Sequence, residues 1–196
     1  MHKVEEINKI IGDRDYLKSE TLYEKGVETV KEILGLHFWK EEKFKHLLTK
    51  NIWQSNPSDI QEILSMPEWE DEQYKHLLTP NIWASNFTNV KKILSMTEWK
   101  NEKFKKFFTS SVWCCDPDDV KKILYMSEWE NEKYEHLLTP NIWGSTFVDV
   151  KKILSMSEWN DERFKRLLTP NIWRSTVNIV KSVLSMPEIK DETFKS

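Results

Sequence analysis

Tryptophan recurs along this chain at intervals of 30 residues. Trp39, Trp69, Trp99, Trp129 and Trp159 form one column and Trp53, Trp83, Trp113, Trp143 and Trp173 a second, which accounts for all ten tryptophans in the sequence. An unslipped period of about 20–50 residues marks a solenoid, in which each unit buries its apolar face only against its neighbours. An array of that kind has no unique deep cleft, so the expectation is a chain that binds rather than catalyses.

Five clear repeats occupy residues 50–79, 80–109, 110–139, 140–169 and 170–196, after a degenerate one at 20–49 where Leu22, Tyr23, Val30, Ile33, Leu34 and Trp39 keep the register. Residues 1–19 read as a degraded N-terminal helical cap, and 20–196 as a single helical-repeat array.

Within a repeat, Thr79-Pro80-Asn81-Ile82-Trp83 opens with a cap residue and a proline at the first helical position, where the missing N–H does no harm. A second cap falls at Asn56, Asn86, Asp116, Thr146 and Thr176, followed by a helix that buries Val90, Ile93 and Leu94 in one repeat. A third helix is predicted to begin near Pro67, Thr97, Ser127, Ser157 or Pro187, with Trp69, Tyr74, Leu77 and Leu78 at helical spacing and a capping box between Ser127 and Glu130. Glu72 precedes His76 by four residues, as Glu102 precedes Lys106, Glu132 precedes His136 and Glu162 precedes Arg166, so these charges read as helix pairs. Nothing alternates like a strand. The predicted fold is an all-α solenoid of 30-residue helical repeats, each a short Pro-initiated turn plus two α-helices.

This layout resembles the mTERF family, the mitochondrial transcription termination factor repeats. The residues that carry the resemblance are Pro80-Asn81-Ile82-Trp83, Pro140-Asn141-Ile142-Trp143 and Pro170-Asn171-Ile172-Trp173, with the apolar pairs Ile93-Leu94, Ile153-Leu154 and Val183-Leu184. The resemblance implies repeats of two α-helices and a 3₁₀ turn, and a nucleic-acid-binding solenoid.

Charge points elsewhere. With 29 basic against 32 acidic side chains and a pI near 6.0, the chain lacks the positive field that dominates nucleic-acid affinity. Cys114 and Cys115, the only cysteines, are adjacent and make no disulfide framework, which suits a reducing compartment. The opening MHKVEEINKI has no signal-peptide apolar core, and no segment approaches the length of a membrane span. A cytoplasmic chain without a membrane partner is expected.

Between near-identical repeats, the position after the second tryptophan varies most: Gln54, Ala84, Cys114, Gly144 and Arg174, with Glu24 as counterpart in the degenerate repeat. Two more columns vary, first Pro57, Phe87, Pro117, Phe147 and Val177, then Ser58, Thr88, Asp118, Val148 and Asn178. Variable residues at one register of a regular stack form a row, as in modular repeat binders, so the first and third columns are the candidate recognition residues. A tolerant exposed loop is the bland alternative. The tryptophans invite a base-stacking role, but a constant register suits buried contacts between repeats better.

A lysine row, Lys91, Lys92, Lys121, Lys122, Lys151, Lys152 and Lys181, is a candidate phosphate-binding stripe or a solvated face paired with acids. His46, His76 and His136 share a register with Lys106 and Arg166, which cannot replace a ligating imidazole, so no metal is expected there. Cys114, Cys115, Asp116 and Asp118 lack the spacing of a zinc site. No phosphate loop, nucleophile elbow or HExxH motif is visible, and neither enzyme activity nor a cofactor is expected. The first choice of partner is a protein or peptide, and the second a nucleic acid.

Overall fold

Short polar caps cut this chain into many small helical pieces, and tryptophan stitches the pieces together. The computed structural model describes residues 2–186, and all regular structure among them is helical. The α-helices are α1 His2–Ile11, α2 Glu20–Glu24, α3 Val27–Gly35, α4 Glu42–Lys45, α5 Pro57–Leu64, α6 Glu72–Lys75, α7 Phe87–Leu94, α8 Glu102–Lys105, α9 Pro117–Leu124, α10 Glu132–Glu135, α11 Phe147–Leu154, α12 Glu162–Lys165 and α13 Val177–Leu184. Two compact units divide the chain, Met1–Met96 and Thr97–Ser196.

In the first unit, repeat 50–79 begins with the 3₁₀ turn Lys50–Gln54, which buries Ile52 and Trp53. Asn56 then caps α5, its side chain accepting the backbone N–H of Asp59 at 2.8 Å, with Pro57 in the first turn. The buried face of α5 is Ile60, Ile63 and Leu64. Helices α3, α5 and α7 pack side by side, and α1 packs on α3. In the second unit α9, α11 and α13 do the same, and the turns Ser110–Cys114, Pro140–Gly144 and Pro170–Arg174 stack in order.

The predicted third helix is divided. Residues 67–70 form a second 3₁₀ turn, and Asp71, in extended backbone, starts the separate one-turn helix α6 by accepting the N–H of Gln73. Asn101, Asn131 and Asp161 act likewise before α8, α10 and α12. An Asp or Asn that captures a nearby N–H offers the backbone an alternative to continuing the helix. In these one-turn helices acid–base pairs close at three residues: Lys75 meets Glu72 at 2.5 Å, Lys45 meets Glu42 at 2.5 Å, and Lys165 pairs with Glu162, whereas Lys106 and Arg166 make no ion pair within 4 Å among the described residues. The capping box is absent, since Ser127 stands inside its turn and donates to Glu128 at 3.4 Å. Thr49, Thr79, Thr109 and Thr139 occupy cap positions, but their hydroxyls are buried without a partner. The predicted helix start at Pro187 lies outside the described residues.

Burial and hydrogen bonding give the two tryptophan columns different roles. In the first column Trp69, Trp129 and Trp159 donate Nε1–H to the carbonyls of Ile63, Ile123 and Ile153, each at 2.5 Å, so the ring folds back onto the helix before it. The second column reaches 36 residues back: in the first unit Trp53 to Leu17 at 2.6 Å and Trp83 to Leu47 at 2.8 Å, in the second Trp143 to Phe107 and Trp173 to Leu137, both at 2.7 Å. The acceptors sit at or just past helix ends, where carbonyls lack intrahelical partners. Nine of the ten indoles are buried and Trp39 is half-buried. Leu17 shows that the N-terminal segment supplies the acceptor for repeat 50–79, past the degenerate repeat 20–49.

Trp143→Ala should therefore destabilise the protein by about 3–5 kcal/mol in urea unfolding. Trp143→Phe keeps most of the ring but strips the Phe107 carbonyl of its indole donor, and should cost about 1–2 kcal/mol. A Trp143→Phe variant as stable as the parent protein would deny the hydrogen bond any role.

Candidate recognition surface

Around the second tryptophan the chain points in, out, in and out over four residues. Trp53 is buried and bonded backwards to Leu17, while Ser55 is buried and donates its hydroxyl forwards to the Trp83 carbonyl at 3.1 Å. Gln54 is held between these two anchors and is exposed. In the second unit Trp143 and Ser145 anchor Gly144 in the same way, with Ser145 donating to the Trp173 carbonyl at 3.0 Å. The serine column, nearly constant in sequence, is thus a structural partner of the tryptophans. Its constancy beside a variable neighbour was the available signal.

Each residue of the first variable column, Glu24, Gln54, Ala84, Cys114, Gly144 and Arg174, is exposed. So is each of the third, Ser58, Thr88, Asp118, Val148 and Asn178. The middle column packs instead: Pro117 is buried and Pro57, Phe87, Phe147 and Val177 are half-buried. Backbone N–H groups of Phe87 and Phe147 donate to Asp59 at 3.0 Å and to Asp119 at 3.1 Å in the repeats before them, so this column belongs to the joint between repeats. A Cβ placed on Gly144 would meet the Trp173 carbonyl oxygen at an ordinary 3.8 Å, so that glycine is not required by its surroundings.

All seven residues of the lysine row are exposed: Lys91 and Lys92 on α7 of the first unit, and Lys121, Lys122, Lys151, Lys152 and Lys181 on α9, α11 and α13 of the second. Pairing with acids accounts for only part of it. Lys121 lies 3.7 Å from the buried Glu98 and Lys122 3.9 Å from Asp119, while the other five make no ion pair within 4 Å among the described residues.

At the histidine register, Nε2 of His46 and His136 lies 2.9 and 2.8 Å from the carbonyl oxygens of Leu78 and Leu168, one repeat on. A ring nitrogen facing a carbonyl must donate, and Lys106 and Arg166 at the same register are donors too. The described residues contain no group of three or more His, Cys, Asp or Glu side chains arranged to hold a metal ion, and no helix long and apolar enough to cross a membrane.

The adjacent cysteines separate. Cys114 belongs to the exposed row, whereas Cys115 takes the serine position, buried with Sγ 3.0 Å from the Trp143 carbonyl. Burial, reinforced by Asp119, pushes the Cys115 thiol up to about 12. No family model, no curated protein and no solved structure matches this chain.

One thiol, that of Cys114, should react rapidly with a disulfide reagent at pH 8 in the native protein, and two after denaturation. Cys115 stays a protonated thiol at any pH below about 12, so raising the pH to 9 should not expose a second fast site. Two fast thiols in the native state would contradict the burial of Cys115.

Proposed function

We propose that this chain is a non-enzymatic helical-repeat module that binds a protein or peptide partner through Glu24, Gln54, Ala84, Cys114, Gly144 and Arg174, with Ser58, Thr88, Asp118, Val148 and Asn178 beside them. The observation that carries the reading is the anchoring of the variable position. At Gln54 and Gly144 an exposed side-chain position sits between a tryptophan tied 36 residues back, past the preceding repeat, and a serine tied to the repeat after. Rigid backbone beneath a varied surface lowers the ordering cost of binding, as pre-organised binders require. The period, unbroken from Trp39 to Trp173, supports a solenoid in which these positions recur at one register.

The exposed lysine row favours a second reading, a modular nucleic-acid binder of mTERF-like type in which lysines contact phosphates and the variable row reads bases. The net charge of −3 weighs against it.

Exchanging two row residues, Gln54→Arg with Arg174→Gln, conserves composition and charge, and at exposed sites should alter stability by less than about 0.5 kcal/mol. Peptides selected from a displayed library on the exchanged protein should differ in consensus from those selected on the original. Identical selections would make the row mere tolerance.

Lys121→Glu with Lys151→Glu tests the second reading. A phosphate-binding stripe would lose nucleic-acid binding in this variant and show a steep log–log salt dependence in the parent protein. Our reading predicts little nucleic-acid binding at 150 mM salt in either protein, and a stability change within about 1 kcal/mol.

A further inference from the structure

The outer ridge of the second compact unit carries an unbalanced charge. Helices α9, α11 and α13 lie side by side, and the exposed lysines Lys121, Lys122, Lys151, Lys152 and Lys181 fall on them at matching registers. Several cations elsewhere on the same unit are matched: Lys103 with Glu130 at 3.1 Å, Lys105 with Glu102 at 3.5 Å, Arg163 with Asp161 at 2.5 Å, and Lys165 with Glu162. On the ridge, matching fades along the chain. Lys121 and Lys122 have acids only at 3.7 and 3.9 Å, and Lys151, Lys152 and Lys181 have none within 4 Å among the described residues.

Apolar surface accompanies this charge. Val148 lies one helical turn before Lys151 on the same face of α11 and is 53% exposed, at the register occupied by Asp118 and Asn178 on the flanking helices. Tyr125, just past α9 and 63% exposed, lies one turn beyond Lys121 and Lys122, its ring steadied edge-on by Phe104 at 6.2 Å. A valine at an exposed register that otherwise holds polar residues suits a ligand with an apolar side chain.

Spacing narrows the ligand further. Axes of packed helices stand about 8–10 Å apart, so a ligand running from α9 to α13 meets a new lysine at about that interval. A peptide in the polyproline II conformation advances about 3.1 Å per residue with three residues per turn, so every third side chain falls on one face at about the same interval. Nucleic acid presents a phosphate every ~3.4 Å of axis on each strand, and lysines at this interval would leave most of that charge unmatched.

Resting on the reading of this chain as a peptide-binding module, we propose that the ridge of α9, α11 and α13 docks an acidic peptide in the polyproline II conformation, with a carboxylate at about every third residue and an apolar side chain set against Val148. The lysines take the carboxylates in turn. Because these pairs are solvent-exposed, each adds little alone, and the complex depends on several made together and weakens with salt.

The test uses the full chain and fluorescence anisotropy with a labelled 12-residue peptide carrying glutamate at every third position, one leucine and otherwise serine. The comparison peptide has the same composition with its glutamates contiguous, and 12-nucleotide single-stranded RNA and duplex DNA are run in parallel. The spaced peptide should bind at least tenfold more tightly than the contiguous one. Lys151→Gln with Lys181→Gln should weaken it about tenfold with an unchanged circular dichroism spectrum and melting temperature, and Val148→Ser should weaken it about threefold. Equal affinity for the two peptides, or an unaffected lysine variant, would overturn the proposal, and tighter binding of RNA or DNA than of either peptide would overturn it in favour of a nucleic-acid ligand. If the ridge fails while the Gln54/Arg174 exchange still alters peptide selection, the binding-module reading stands without this ligand. If both fail, that reading falls too.

Discussion

A second-column tryptophan does two things with one side chain: its ring fills space at the joint between repeats, and its Nε1–H satisfies a carbonyl 36 residues back, beyond the whole of the preceding repeat. Trp83 does this for Leu47 in the first compact unit, and Trp143 for Phe107 in the second. Apolar burial alone is non-directional and would let neighbouring repeats slide or rotate. A buried donor that must find its acceptor removes that freedom, because leaving it unpaired costs about 1–3 kcal/mol. The serine column reinforces the same joint from the other side, and where Cys115 replaces serine the thiol still faces the Trp143 carbonyl.

Such joints let short segments form a stable structure. α6, α8, α10 and α12 span four residues each and would not persist alone, since a helix that short does not recover its nucleation cost. Their order is tertiary in origin, supplied by rings such as Phe104 and Phe164 buried beneath them and by Asp or Asn caps in front. The consequence for function is a division of labour within a few residues. The tryptophan and serine anchors are held nearly constant, and positions between the anchors are free to differ at little cost to the fold.

Much of this was legible in the sequence because it has a side-chain signature. The period gave the repeats, the burial of the tryptophans followed from their register, and the caps at Asn56, Asn86, Asp116, Thr146 and Thr176 all accept a backbone N–H as their residue types suggest. Helical spacing of Trp69, Tyr74, Leu77 and Leu78 did not reveal the break at Asp71, because a 3₁₀ turn followed by one α-turn keeps nearly the same apolar face as a single helix. Cap propensity misled at Thr79 and Ser127, where the hydroxyl turns elsewhere. The carbonyls that receive the indoles left no trace at all, since every residue carries one. At the candidate surface, variability identified exposed positions in the first and third columns, yet it also marked Pro57, Phe87 and Pro117, whose variation reflects alternative packing in the joint.

Exchange of the indole protons with solvent measures the joint directly. In a protein labelled with nitrogen-15 at tryptophan, the Nε1–H of Trp53, Trp83, Trp143 and Trp173 should exchange orders of magnitude more slowly than a free indole, with protection lost in step with global unfolding as urea is added. Exchange of these protons at the rate of free indole in the folded protein, or by local openings insensitive to urea, would mean that the hydrogen bonds between repeats do not hold the structure together.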